Sequence, residues 1–356
     1  MEQSRAFLEC LLGEPGPSGF ESRPARVWRD EAGGFAERVW ADVHGNSFAQ
    51  VGADRRPRVM LAGHVDEIGL QVTHVDKDGF LYVDGIGGWD PQVVVGQRVV
   101  VMGRTGDVPG VVGKKPIHLL KPEDRKKVTQ IRDIWVDLGA SSAEEVGEMG
   151  VRVGDPLVLD AGVIQLAGDR IASRAIDDRV GAYVVLEALR LLAAEPPESA
   201  GAVAVATVQE EIGYTGGGAR SSAFALDPDV ALVVDVTFAT DVPDANKKEL
   251  GEHSLGGGPV LTRGSSTHPV VFEHLADAAA EEEIPYSIQA APKASRTDAD
   301  GIFLVRAGVP TGLISIPNRY MHSPNEVVSV IDLERAARLL AGFVRRLDGD
   351  MSFVQQ

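Results

Sequence analysis

Five short segments of the chain contain side chains suited to metal binding or proton transfer. They are His64-Val65-Asp66, Asp177-Asp178, Glu210-Glu211, Asp235 and His322. Each follows an apolar run or opens a helical pattern, so each is predicted to lie where a strand ends or a helix begins. Imidazole nitrogens and carboxylate oxygens bind zinc and neighbouring transition metals, and carboxylates also transfer protons. A metal site follows if the fold brings these segments together.

The spacing within two of the segments suggests complementary roles. Residues i and i+2 of an extended chain point the same way, so Asp66 can accept a hydrogen bond from one ring nitrogen of His64 while the other binds a metal. Glu210 and Glu211 end the most apolar run, where a break at Gly213 lets one bind a metal while the other faces a substrate. The simpler alternatives are a loop histidine beside a solvated aspartate, and two solvated acids.

The other three positions each have a structural alternative. Asp177 could be only the N-cap of the helix that follows, Asp235 could open a turn, and His322 could be a structural histidine. Together these residues complete two sites with nitrogen and oxygen ligands. Each ion would have one histidine and one carboxylate of its own, and the two ions would share one aspartate. Because Cys10 is the only cysteine, the chain alone offers neither a thiolate site nor an intrachain disulfide.

Composition argues against several classes of function. The 356 residues include 35 Lys and Arg against 52 Asp and Glu, a formal net charge of −17, and the one dense basic run is residues 121–127. Such an acidic chain is a poor partner for nucleic acid. The apolar runs are far shorter than the roughly 20 residues of a membrane span. Glu2 and Glu9 lie where a secretory signal has positive charge, so we expect a cytoplasmic protein.

Apolar runs alternate with helical patterns over much of the chain. Continuous runs rich in Val, Ile, Leu and Ala predict buried strands at residues 59–62, 202–208, 230–234 and 312–316. Helical spacing predicts helices at residues 177–194, 273–282 and 331–347, and an amphipathic helix at the N-terminus. This alternation predicts an α/β fold with a mostly parallel central sheet flanked by helices. Ligands bind at the carboxyl edge of such sheets.

Residues 69–162 have a different pattern. Short strands at residues 71–75 and 80–83, and at 98–102 and 108–112, flank turns with Gly and Asp, which predicts two hairpins. We predict an inserted antiparallel β domain over residues 69–162. It interrupts a discontinuous catalytic α/β domain formed by residues 1–68 and 163–356. A polar, basic loop is expected at residues 114–132.

Several stretches of the sequence resemble those of one known family. They are AGHVDEIG, SRAIDDRVGA, VQEEIGYTGG, VVDVTFATDVP, VVGKKPIHLL, DIWVDLGASS and TDADGIFLVRAGVPTGLISIPNRYMHSPNEVV. Their order and spacing resemble the dinuclear metallo-aminopeptidases that include the tetrahedral (TET) and the bacterial glutamyl aminopeptidases. The resemblance extends over nearly the whole chain. It implies a zinc-peptidase-like fold in which the insert is a β-barrel-like domain.

The resemblance also implies a role for each candidate residue. It implies that one ion is held by His64, Asp177 and Asp235, and the other by Asp177, Glu211 and His322. It further implies that Asp177 bridges, that Glu210 is the general base and acid, and that Asp66 orients His64. The expected cofactors are two divalent metal ions for each subunit, zinc or cobalt, with manganese as a further option. The insert is expected to shape the active site and to assemble dimers into a tetrahedral dodecamer.

The expected function is the metal-dependent removal of N-terminal residues from peptides by a water bridged between two metal ions. The alternatives are a deacylase-type hydrolase of acylated amino acids, an endoglucanase-type glycosidase, and a metal-binding scaffold without catalysis. A retaining glycosidase needs carboxyl groups about 5–5.5 Å apart, an awkward fit for adjacent Glu210 and Glu211.

The sequence leaves open which N-terminal residues of a peptide the enzyme prefers to remove. Arg263, Arg296 and Arg319 are the candidates for binding an acidic side chain, and Thr297-Asp298 are candidates for substrate contact on the resemblance alone. His118 and His268 are expected to be structural or to line the pocket. Residues 216–218 and 256–258 are expected to form turns near the site.

Overall fold

The protein is described by a computed structural model that covers residues 2–213 and 217–354. Its helices in chain order are α1 (Glu2–Gly13), α2 (Ser22–Ala32), α3 (Pro91–Val94), α4 (Ala143–Glu148), α5 (Ile176–Ala194), α6 (Gly217–Leu226), α7 (Lys247–Leu250), α8 (Pro269–Glu281), α9 (Asp298–Ile302) and α10 (Val330–Arg346). Its strands are β1 (Arg38–Ala41), β2 (Ser47–Val51), β3 (Arg58–His64), β4 (Gly69–Val75), β5 (Phe80–Ile86), β6 (Arg98–Gly103), β7 (Gly106–Lys114), β8 (Ile134–Asp137), β9 (Pro156–Leu159), β10 (Ile164–Gln165), β11 (Arg170–Ser173), β12 (Gly201–Thr207), β13 (Val230–Phe238), β14 (Val260–Gly264), β15 (Ser287–Ala291), β16 (Thr311–Asn318) and β17 (Glu326–Ser329).

An eight-stranded sheet in the order β1-β2-β12-β3-β13-β16-β14-β15 forms the centre of the molecule. The four strands predicted from continuous apolar runs are the adjacent strands β12, β3, β13 and β16, and all three pairings among them are parallel. These strands are buried along almost their whole length because helices cover both faces of the sheet. The predicted α/β class with a mostly parallel sheet is confirmed.

The helices divide between the two faces of this sheet. On one face α5 contacts β3, β12 and β13, and α10 packs on α5. On the other face α6 and α9 pack together over β12, β3 and β13. The first half of helix α10 buries Leu333, Ala336, Ala337 and Leu340, the i, i+3, i+4, i+7 spacing of one face, and residues 339–344 are buried all round. Helix α8 begins at Pro269, four residues before the predicted start at 273, because proline is tolerated in the first helical turn.

The six strands β4 to β9 close an antiparallel barrel in the order β4-β5-β8-β7-β6-β9. Both predicted hairpins are present, as β4–β5 and β6–β7. The barrel has its own core, which includes Leu81, Val101, Val136 and Leu157. The segment between β7 and β8 is mostly exposed and contains short 3-10 turns. None of the helices in the described ranges has the length and apolarity needed to cross a bilayer.

One close approach between β3 and α5 determines how the site is assembled. A Cβ atom at Gly63 would lie 2.5 Å from the carbonyl carbon of Gly181 and 2.6 Å from the backbone nitrogen of Ala182. Both of these atoms belong to the backbone of α5 and cannot rotate away. The absence of a side chain at Gly63 therefore allows the end of β3 to lie directly against the start of α5.

We expect Gly63→Ala to lower the free energy of unfolding by about 3 kcal/mol, because the added methyl group forces the strand and the helix apart. Urea denaturation followed by circular dichroism measures the change. Gly13→Ala is the matched control, since a Cβ there meets nothing within 4 Å. A Gly63→Ala protein as stable as the control would show that the contact is not a constraint.

Candidate metal centre

Neighbouring strands bring the predicted ligands to one edge of the sheet. The ligands lie at the end of β3 (His64), at the start of α5 (Asp177), after β12 (Glu211), within β13 (Asp235) and between β16 and β17 (His322). Asp235 was expected to close its strand, but β13 continues for three residues to Phe238. This difference does not remove the carboxylate from the edge.

The carboxylate of Asp177 lies between the two histidines. Its Oδ1 is 3.2 Å from Nε2 of His64, and its Oδ2 is 3.3 Å from Nε2 of His322. Nε2 of His322 is also 3.3 Å from Oε1 of Glu211. These residues form two groups of three that could each hold a metal ion, and within each group the potential ligand atoms lie within 4.8 Å of one another. The groups are His64 with Asp177 and Asp235, and Asp177 with Glu211 and His322. Asp177 belongs to both.

Asp177 does not cap the helix that it opens; the capping hydrogen bond of this segment is made by Asp178, whose Oδ1 accepts the amide of Gly181 at 3.1 Å. The residue at the cap position is Ala175, whose methyl side chain cannot accept a hydrogen bond and whose φ of 57° is left-handed. Asp177 and Asp178 have non-helical backbone angles, and the peptide bond between them is cis. The Asp177 side chain is therefore directed at the histidines rather than at the helix amides.

Each histidine ring has one nitrogen facing a fixed acceptor. Nδ1 of His64 lies 3.3 Å from Oδ1 of Asp66 and 3.2 Å from the Asp66 carbonyl oxygen. Nδ1 of His322 lies 2.8 Å from the carbonyl oxygen of Gly88, which follows strand β5 of the barrel. With a proton on Nδ1, the Nε2 atom of each neutral ring is left with its lone pair for a metal.

Three buried carboxylates accept hydrogen bonds from the backbone of the candidate ligand residues. Asp66 accepts hydrogen bonds from the amides of Glu210 and Glu211, each at 3.2 Å, and from the Ser18 hydroxyl at 2.6 Å. Asp178 accepts the amide of His64 at 3.2 Å.

Glu326, the third of these carboxylates, accepts the amides of His322 at 2.8 Å and of Asp177 at 3.1 Å. Sequence reasoning gave Glu326 no role. The one available signal was an acid opening an apolar strand, which β17 shows to be buried.

Burial and mutual repulsion control the charges at this edge. Burial, with repulsion from neighbouring carboxylates, raises the pKa of Glu210 and of Asp235 well above their usual range. Burial opposes a charged imidazolium at His322, but hydrogen bonds to Asp177 and Glu211 raise its pKa to about 11. The His64 pKa is raised in the same way by Asp177 and Asp66 against the effect of burial. Against the effect of burial, hydrogen bonds with His322 and His64 hold the pKa of Asp177 below its usual range. Glu210, Asp235 and the two histidines thus favour bound protons, while Asp177 between the histidines favours its charged form.

A cavity of about 1030 Å³ opens beside this edge and is lined by Glu210, Glu211 and His322. Thr297 and Arg296 also line it, whereas Asp298 is buried and accepts the Thr207 hydroxyl.

The other candidate residues lie elsewhere. Arg263 is 3.6 Å from Glu273, and Arg319 pairs with Asp241 at 2.7 Å. His118 is in an exposed turn of the barrel segment, and His268 lines a different cavity. Gly216 is outside the described residues. The amides of Gly256 and Gly258 donate to Asp332.

Comparisons with known proteins identify relatives over nearly the whole chain. The model of the M42 glutamyl aminopeptidase family matches residues 45–339. A lysyl aminopeptidase of Pyrococcus furiosus is 37% identical over 343 residues, which cover 96% of each chain.

Solved structures agree with this match. A TET aminopeptidase from a marine sediment archaeon, Thaumarchaeota archaeon SCGC AB-539-E09, superimposes with a TM-score of 0.92 at 37% identity over 98% of this chain and 97% of that one. The Pyrococcus horikoshii TET1 peptidase, which can assemble into a tetrahedron or a large octahedral shell, gives a TM-score of 0.85 at 29% identity over 97% of this chain and 100% of that one. These matches confirm the resemblance inferred from the motifs and favour an aminopeptidase over a deacylase or an endoglucanase. The chain therefore belongs to the M42 glutamyl aminopeptidase family and is an aminopeptidase.

Proposed function

We propose that this aminopeptidase works through two divalent metal ions bound at the edge of the sheet. His64, Asp177 and Asp235 would hold one ion, and Asp177, Glu211 and His322 the other. The shared Asp177, with one oxygen towards each histidine, is the observation on which this assignment depends. Oε1 of Glu211 adds support, because it is buried and faces Nε2 of His322 at 3.3 Å without a well-aligned hydrogen bond from any of the described residues. Nitrogen and oxygen ligands suit zinc or cobalt, and manganese is a further option.

We assign Glu210 as the general base and acid. When bound, the ions would lower the pKa of the attacking water and polarise the scissile carbonyl. Glu210 lines the cavity, and its Oε2 is 3.8 Å from Nε2 of His64. It therefore lies next to both the proposed metal centre and the cavity that would receive the substrate. Its raised pKa suits a group that takes a proton from water and gives it to the leaving amine. Asp66 would orient His64 without touching substrate.

We propose further that residues 69–162 form an oligomerisation domain, inserted between residues 1–68 and 163–356 of the catalytic domain. Dimers would assemble into a tetrahedral dodecamer that takes peptide substrates in the cytoplasm. The assembly of the related Pyrococcus horikoshii TET1 peptidase supports this proposal. So do the exposed apolar side chains of the barrel domain, Val111, Ile117, Leu119 and Val128.

Glu210→Gln should lower kcat about a thousandfold while leaving two metal ions bound, since the amide cannot accept the proton of the attacking water. Activity is assayed with the p-nitroanilides of Leu, Glu and Lys. Elemental mass spectrometry of acid-digested protein measures the number of metal ions bound to each chain. Asp177→Asn is the companion variant and should lose both ions together with activity. A Glu210→Gln enzyme with more than a tenth of the wild-type kcat would remove Glu210 from its role.

Zinc binding to chelator-treated protein should release protons at pH 7. The pKa values of His322 and His64 are raised without metal, which favours protonated rings, and a ring must become neutral to bind zinc. Zinc affinity should therefore weaken as the pH falls. Calorimetric titrations in buffers of different ionisation enthalpy measure the number of protons released. Binding without proton release would contradict this charge assignment.

The protein should behave in solution as a particle of twelve chains, which light scattering after size-exclusion chromatography measures. Replacing Ile117 and Leu119 by Asp should reduce the particle to smaller species, because charge in a covered apolar contact is costly. Val354→Asp is a control at an exposed apolar position outside the barrel. A wild-type monomer would contradict the assembly.

A further inference from the structure

Two arginines line the cavity that opens beside the proposed metal centre. Arg220 is in α6, and Arg296 precedes α9; both also lie in the wall that contains Glu210 and His322. Within residues 2–213 and 217–354, neither guanidinium has a carboxylate oxygen inside the 4.0 Å of an ion pair. Two unpaired positive charges therefore face the space beside the proposed reaction centre.

The backbone of Arg296 has an unusual conformation that hydrogen bonds to Asp300 stabilise. Its φ of 63° is left-handed, a conformation that is unfavourable for a residue with a Cβ atom. The amides of Arg296 and Ser295 donate to the two oxygens of Asp300, at 2.7 Å and 3.1 Å. Asp300 is thus engaged by backbone rather than by the guanidinium. A charged side chain kept at a strained position in the wall of a site points to a function there.

A third arginine shows how the same backbone conformation is used for structure alone. Arg306 also has a left-handed φ, of 53°. Its guanidinium stacks over the Phe224 ring at 4.3 Å, donates to the Phe224 carbonyl oxygen and pairs with Asp227 at 3.2 Å. Arg319 is likewise paired, with Asp241. Arg220 and Arg296 differ from both because they line the cavity and have no carboxylate oxygen within ion-pair distance among the described residues.

We propose that Arg220 and Arg296 form a subsite for a carboxylate of the peptide substrate. Guanidinium groups bind carboxylates through two parallel hydrogen bonds, so a pair of them selects a negatively charged group. The carboxylate belongs either to an acidic substrate side chain or to the C-terminus of a short peptide. Family names do not decide this preference, since one match is glutamyl and another lysyl. The location rests on the metal centre proposed above.

Two matched substrate pairs test the subsite and identify the source of the carboxylate. Glu-p-nitroanilide against Gln-p-nitroanilide tests a side chain, and Leu-Gly-Gly against its C-terminal amide tests a terminus. In the wild-type enzyme the acid should be preferred in at least one pair. Arg296→Gly should lower that ratio of kcat/KM about tenfold, the loss of about 1.4 kcal/mol of selective binding. Arg220→Ala should act in the same direction.

Glycine is favoured at a left-handed φ, so Arg296→Gly should fold at least as well as the wild type. Arg306→Gly is the matched control, the same substitution in the same conformation, and should leave both ratios unchanged. Thermal shift with L-glutamate against L-glutamine, and with Gly-Gly against its amide, tests binding without turnover. These shifts separate a failed subsite from a failed metal centre. No preference for either acid in the wild type, or ratios unchanged by Arg296→Gly, would overturn the proposal.

Discussion

The crowding of carboxylates at one edge of the sheet is the constraint on which the surrounding structure depends. Their repulsion has to be met by cations, protons or donors, since isolated buried charges are too costly. The structure divides the acids accordingly. Asp177, Glu211 and Asp235 face the histidines, whereas Asp66, Asp178 and Glu326 accept backbone amides of the same segments. The second group thereby fixes the positions of the first.

A buried ion cluster ties the N-terminal segment to this edge. Arg179 in α5 donates to the carbonyl oxygens of Leu11 and Val65, each at 3.0 Å, and to Glu67 at 2.8 Å. Arg174 donates to the same carboxylate and to the Gly13 carbonyl oxygen. The residues next to Asp66 and Asp177 are thus fixed to the end of α1. Removing one partner of such a cluster leaves a buried charge uncompensated, so the cluster links distant segments.

The sequence predicted those parts of the molecule whose signal is local. The four central strands were predicted because burial on both faces requires continuous apolar runs. Strand β15 was missed because it lies at the end of the sheet, where none of its residues is buried and its apolar run is short. The proposed ligands were found because each stands where a predicted element ends or begins. Glu326 was missed, and Arg296 was not separated from Arg319, because the partners that distinguish them are far away in the sequence, as Asp241 is from Arg319.

The hydrogen bond between His322 and Gly88 joins the barrel directly to the proposed metal centre. A shortened chain with a plain linker in place of the barrel would keep every proposed ligand residue. It would nevertheless lose the carbonyl that selects the Nδ1-protonated form of the imidazole. The ring could then take the other tautomer, with the proton on Nε2 and no lone pair towards Asp177 and Glu211. Excision of the barrel would therefore remove the group that fixes the tautomer of this proposed ligand.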